Sequence, residues 1–185
     1  MYPTNKSYLD LPYDTLTELN LKARTFTDSK KAEATHTKYL AAEKRIKAVT
    51  ICFSDIEGRL HMLDYDKTFF LDSLNNLTFD GSSIKGFTEL HESDLRLVVD
   101  WTSVTFLPSD VFGPGKVLVF ANICNPDNTP YEADFRGRLQ HYMQAQKKKD
   151  GIEAYMAPEI EGFLMGGLDA EQNFDNKVGF KLIST

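Results

Sequence analysis

The sequence predicts an α+β fold: a helical leading segment, a sheet crossed by one short helix, and a helix followed by a strand at the end. Three observations carry this. Apolar residues recur at helical spacing through Leu16, Leu19, Ala23 and Phe26, and the period switches to two at Val49, Ile51 and Phe53. Pro126-Asp127-Asn128-Thr129-Pro130 then interrupts the chain before a helical pattern resumes. At 185 residues, 42% hydrophobic with 13 Phe, the chain can bury a core as one domain or two small ones.

Taken in order, residues 1–14 read as an arm, and Thr15-Leu16-Thr17-Glu18 has capping-box spacing for a first helix. A second helix is expected over residues 30–45, marked thinly by Ala32, Tyr39, Ala42 and Ile46. The period-two strand at residue 49 meets Asp55-Ile56-Glu57-Gly58, which has hairpin-turn chemistry, and Leu60, Met62 and Tyr65 continue as the return strand. Residues 66–75 suit a short helix with Phe70, Leu71 and Leu74 on one side, and further strands are expected over 95–99, 103–107 and 116–123. Asp134 can cap a helix carrying Phe135, Leu139, Tyr142, Met143 and Gln146 on one face, with lysines at its end and Asp150-Gly151 as its stop. A strand is expected over residues 153–165.

Composition narrows the function classes. A net charge of −6 and a pI near 5.2 argue against a nucleic-acid or anionic-membrane surface as the main partner. No run approaches transmembrane length, the start lacks an apolar leader core, and a cytoplasmic protein is expected. Cys52 and Cys124 sit in apolar strand-like runs without metal-type spacing, which favours reduced buried thiols over a disulfide. The four histidines show no i, i+4 pairing.

Two stretches carry chemistry. Phe79-Asp80-Gly81-Ser82-Ser83-Ile84-Lys85-Gly86-Phe87, running on to Glu92-Ser93-Asp94, is a long connection rich in acids and hydroxyls. Asp-Gly-Ser-Ser is also ordinary turn chemistry, so the loop alone leaves both readings open. In the strand expected around Glu159-Ile160-Glu161, residues two apart share a face, which sets Glu159 and Glu161 side by side, roughly 6–7 Å apart. Like charges so placed repel unless water or a cation intervenes, and hard Mg²⁺ or Mn²⁺ takes such oxygen ligands. Two solvated surface glutamates are the plainer alternative.

Together the stretches resemble the glutamine synthetase family over about residues 46–165. The hairpin Ser54-Asp55-Ile56-Glu57-Gly58-Arg59-Leu60 looks like that family's first two strands. Asp80-Gly81-Ser82-Ser83 and Ser93-Asp94 match its most diagnostic N-terminal motif, and Asp100 and Thr102 fit a following aspartate and threonine, with Val99 where the family has proline. Asp134-Phe135-Arg136 stands for aspartate-proline-arginine, and Glu159-Ile160-Glu161-Gly162-Phe163 for glutamate-proline-glutamate-aromatic-phenylalanine, with Ile160 and Gly162 as departures.

Residues 1–45 are expected to form a helical extension outside the resemblance, which itself implies a β-grasp domain over 46–125 and the incomplete start of an α/β catalytic barrel over 131–185. The resemblance implies an ATP-dependent ligase that forms γ-glutamyl phosphate and joins it to ammonia. Asp80 would serve an adjacent subunit's active site, binding ammonium and taking its proton. Phe87 would line that site, Ser83 would shape the loop, and Glu159 and Glu161 would each bind one of two Mg²⁺ or Mn²⁺ ions. Glutamate, ammonium and ATP would be the substrates. The expected partner is a homo-oligomeric ring or a full-length synthetase subunit, with no nucleic acid and no membrane. The nucleotide-binding segment and remaining metal ligands are expected outside this sequence, which looks truncated. A γ-glutamyl-amine ligase, or an inactive oligomerisation module, are the alternatives within the family.

Overall fold

A computed structural model of the chain describes residues 13–44, 46–89, 94–113, 116–166 and 181–184. It divides into two compact units, residues 1–145 and 146–185, with the division falling inside one helix.

The first unit is built on a mixed sheet. Strands β1 (Ala48–Ser54), β2 (Leu60–Asp66), β3 (Thr78–Asp80), β4 (Asp94–Val99) and β6 (Lys116–Cys124) lie in the order β2-β1-β6-β4-β3, and the two-residue β5 (Thr105–Phe106) pairs with β6. The β1–β6 pairing is parallel and the others are antiparallel. Alternation sets which face is buried. Val49, Ile51 and Phe53 of β1, Leu95 and Leu97 of β4, and Val117, Val119, Ala121 and Ile123 of β6 point into one core. On β2 the inward side chains are Leu63 and Tyr65, packed against the core, with His61 stacked on Phe53. Leu60 and Met62 face out. The return strand was expected from Leu60 and Met62, but its cross-strand register (Phe53 opposite His61) assigns them to the other face, since a shift of one residue exchanges the faces.

Helices cover that core. Helix α1 (Tyr13–Ala23) buries Leu16 and Ala23. It begins two residues before the expected capping box, and Thr17 Oγ1 instead donates back to Tyr13 O at 2.9 Å, the local bond available to a threonine inside a helix. Asp28 is the N-cap of α2 (Ser29–Ala42): its Oδ1 accepts from Lys30 N at 2.9 Å and Lys31 N at 3.1 Å. Its buried stripe is Ala32, His36 and Leu40, while Tyr39 is half-buried and Ala42 exposed. Helix α3 (Lys67–Asp72), capped by Asp66, buries Phe70. Residues 101–103 form a 3-10 turn in place of the start of the expected 103–107 strand, because the Asp100 side chain accepts from Thr102 N and turns the backbone. A short helix, α4 (Ser109–Phe112), precedes β6.

Helix α5 (Phe135–Asp150) starts where Asp134 predicts: Asp134 Oδ1 accepts from Gly137 N at 3.0 Å, and Oδ2 from Ile123 N on β6 at 2.9 Å. A Cβ on Gly137 would lie 2.3 Å from Asp134 Oδ2, so only glycine lets this buried carboxylate serve helix and strand together. Phe135, Leu139 and Tyr142 on the helix remain exposed.

In the second unit β7 (Leu164–Gly166) pairs with β8 (Lys181–Ser184). The strand expected over 153–165 is confined to this ladder: residues 151–163 have no strand assignment and are exposed. A strand requires a neighbour to accept its backbone groups, and among the described residues β8 meets only β7.

Candidate functional site

Asp80 ends β3, and the chain turns at once into a 3-10 turn over Gly81–Ser83. The turn is built around the aspartate. Its Oδ1 accepts from Ser82 N at 2.9 Å and Ser82 Oγ at 2.6 Å, and its Oδ2 accepts from Ser83 Oγ at 2.9 Å. Gly81 is needed because a Cβ there would come within 2.7 Å of Thr88 Oγ1 and 2.8 Å of Leu95 Cδ1. Asp80 stays exposed. The Ser82 hydroxyl, then the Ser83 hydroxyl and the adjacent amides, hold its carboxyl below the usual carboxylate value. Three of a carboxylate's roughly four acceptor positions are thereby filled, which fixes the group and leaves acceptor capacity facing solvent.

The register of β3 against β4 places Asp94 directly opposite Asp80. Both residues are exposed, and cross-strand partners project from the same face. The two ends of the long acidic loop therefore meet at the backbone, while the Asp80 carboxylate itself turns onto Ser82 and Ser83. Of the loop's other sequence-predicted residues, Ser83 contacts Asp80 and Phe87 packs against neighbouring rings. Its ring packs edge-on against Phe79 and Tyr131 at centroid distances of 6.3 and 5.4 Å. It also lines a cleft of about 1000 Å³ with Glu89, Asp94, Asn125, Tyr131 and Glu132. Glu92 and Ser93 lie outside the described residues.

Sequence reasoning missed the parts played by Ser82 and Asp94. Ser82 donates twice to Asp80, and Asp94 is the cross-strand neighbour of Asp80. The Asp-x-Ser spacing, which lets a carboxylate bond the amide two residues on, was the available signal for Ser82. No short-range signal exists for Asp94, because its partner is set by strand register.

Asp100 and Arg136 also come together. Arg136 Nη2 donates to Asp100 Oδ2 and its Nη1 to Asn122 Oδ1, both at 2.6 Å, with the guanidinium 5.3 Å from the Phe120 ring centre. Asp100 also accepts from Thr102 Oγ1 at 2.6 Å. Although burial opposes it, Arg136 with Thr102 holds the Asp100 carboxyl below its ordinary value. This network anchors the start of α5 to the outer side of the sheet. Cys52 and Cys124 are free and buried, and burial pushes the Cys52 thiol up to about 11.

Glu159 and Glu161 belong to the second unit and lie in the exposed stretch without strand assignment. Their oxygen donors suit a hard divalent ion, but among the described residues no group of three or more His, Cys, Asp or Glu is placed to hold a metal. Two carboxylates fill only part of the octahedral shell that Mg²⁺ requires. The described residues thus do not make a complete metal centre. Among them, too, no helix is long and apolar enough to cross a membrane.

A mixed sheet with helices folded across one face, and an aspartate turn at its short edge strand, defines a β-grasp domain. The family model described as glutamine synthetase, beta-Grasp domain, matches residues 45–126. Glutamine synthetase of Thermotoga maritima is 33% identical over 129 residues, covering 69% of this chain and 29% of the relative. That of Thermus thermophilus is 34% identical over 125 residues, covering 65% and 28%. The cryo-EM structure of Plasmodium falciparum glutamine synthetase superposes with a TM-score of 0.58 over 67% of this chain and 23% of that one, at 19% identity, which is a likeness of fold. The chain belongs to the glutamine synthetase family, and it spans under a third of the length of these curated relatives.

Proposed function

We propose that this chain is the N-terminal portion of a glutamate–ammonia ligase and that Asp80 is its ammonium-binding carboxylate. The observation that carries this is the exposed Asp80 carboxylate at the end of β3, held in place and kept ionised by Ser82 and Ser83. An exposed, fixed negative charge suits a small cation. The same donors make Asp80 a weak base, since a base works best with a pKa near the operating pH. Binding NH₄⁺ is therefore the better-supported half of the family role, and the reacting amine loses its proton with less help from Asp80.

In the complete enzyme the substrates are glutamate, ATP and ammonium, and the product forms through γ-glutamyl phosphate. Asp80 faces the active site of an adjacent subunit, with Phe87 lining that site, in a cytoplasmic ring of like subunits or beside a full-length synthetase. The division into a helical extension over 1–45, the β-grasp over 46–125 and the start of a catalytic barrel over 131–185 belongs to the same reading. Glu159 and Glu161 would supply one ligand each to two Mg²⁺ or Mn²⁺ ions. When bound, such ions neutralise the transferring phosphoryl group. Further ligands must come from elsewhere in the synthetase.

Steady-state kinetics of a synthetase carrying this segment test the proposal. A charged hydrogen bond is worth roughly 1.5–3 kcal/mol, so Asp80→Ala should raise the KM for ammonium by about 10- to 150-fold while leaving the KM for ATP and glutamate within about twofold. An unchanged ammonium KM would refute it.

A further inference from the structure

We infer that the tip of the β1–β2 hairpin, through Ile56, is a positioning device for Asp80. Its functional meaning rests on the reading of Asp80 as the ammonium carboxylate. The tip is rigid. Asp55, only 3% exposed, accepts from Glu57 N at 2.9 Å, Arg59 N at 3.0 Å and His61 Nε2 at 2.8 Å. Gly58, with φ of +80°, closes the turn by donating its amide to Asp55 O at 3.1 Å.

From this base Ile56 reaches the far end of the Asp80 loop. Gly86 has a φ of +81°, and a Cβ there would stand 2.1 Å from Ile56 Cδ1, so the isoleucine lies directly on the glycine backbone. Beside it Lys85 Nζ donates to Glu57 Oε1 at 2.5 Å. Lys85 is 80% exposed, and ion pairs that open to water contribute little. The apolar contact, which salt does not screen, is the restraint that Ile56 adds.

The loop is pinned again by Phe87, through the ring sequence Phe53, Phe79, Phe87 and Tyr131, at 4.6, 6.3 and 5.4 Å between successive centroids. From those pins back to Gly81 the backbone bonds Phe87 N to Ile84 O at 3.1 Å and Ile84 N to Gly81 O at 3.0 Å connect Gly86 to the turn that carries Ser82 and Ser83. Ile56 acts through Gly86.

Amide hydrogen exchange and ¹³C carboxyl titration of the 185-residue chain test this without any need for catalysis. Ile56 is 37% exposed, and removing the part of its side chain that lies on Gly86 should let the loop open more often. In Ile56→Ala the amides of Ser82, Ile84 and Phe87 should exchange about tenfold faster, and the Asp80 titration should move up. Exchange in β1 and β6 should stay within about twofold. Ile56→Val should restore most of the protection. Gly86→Ala, which strains the same contact from the other side, should give the same local signature. Unchanged loop amides, or acceleration spread equally over β1 and β6, would overturn the inference. Neither readout depends on ammonium, so a failed ammonium KM test with intact loop coupling refutes the functional reading and leaves the positioning role standing.

Discussion

At Asp80 the decisive quantity is the number of donors aimed at one carboxylate. Ser82 contributes both its amide and its hydroxyl, and Ser83 one hydroxyl. Because these favour the charged form, the folded carboxyl titrates below the unfolded value of 3.8. The stabilisation is in place above that value and is lost as pH falls through the lower folded one. Ser82→Ala should shift the Asp80 midpoint up towards 3.8, and Ser83→Ala by less, since Ser82 gives the larger effect. Two-dimensional NMR of the side-chain carboxyl reads this directly, and an unmoved midpoint in Ser82→Ala would contradict the assigned hydrogen bonds. The presence of a special turn here was legible, because Asp-Gly-Ser-Ser is turn chemistry whichever fold surrounds it. That Asp94 would stand across from Asp80 was not, since register is decided by which faces of β3 and β4 must be buried.

Helix α2 shows how an element acquires a pH response from its packing. Its inward stripe sets His36 in the core, 1% exposed, between the Phe26 ring at 5.3 Å and the Trp101 ring at 6.4 Å. Burial pushes the imidazole pKa down from 6.5 to about 4. The unfolded chain therefore binds the proton more readily, so stability is complete above pH 6.5 and declines as pH falls from there towards 4. The loss is at most about 3 kcal/mol. Urea denaturation of the wild type should show it between pH 7 and 4.5, and His36→Phe should flatten that part of the curve. An equally steep decline in the variant would place the acid sensitivity elsewhere. Sequence reading took His36 only as a histidine without a metal partner. The 32–36–40 spacing was present, but a polar residue in the middle of a stripe hides it. Hairpin, capped α5 and short α3 were all visible, because their signals are local. The strand expected over 153–165 was not secured in the same way, since a strand is completed by a neighbour that its own residues do not specify.

On the scale of the whole molecule, burial is divided unevenly. Every residue of the main apolar cluster, from Leu16 to Ile123, falls in the first unit. In the second, Tyr155, Met156 and Ile160 are 90%, 89% and 100% exposed along a stretch without strand assignment. A protease needs an extended segment that it can lift into its active site, and such a segment here costs no core contacts to displace. Brief chymotrypsin treatment should therefore cut after Tyr155 or Phe163 before any site between residues 46 and 124, leaving a large fragment that holds the whole cluster and melts within a few degrees of the intact chain. Mass spectrometry of the first products and thermal melting of the fragment check both parts. The same cleavage reports on Glu159 and Glu161, which lie within that stretch. Two carboxylates without further ligands bind a hard divalent ion weakly, so millimolar Mn²⁺ should not slow the cut in this chain. Strong protection by Mn²⁺ would mean that the chain completes a metal site by itself, and a first cut inside β1 or β6 would mean that the sheet, and not the exposed stretch, is its least stable part.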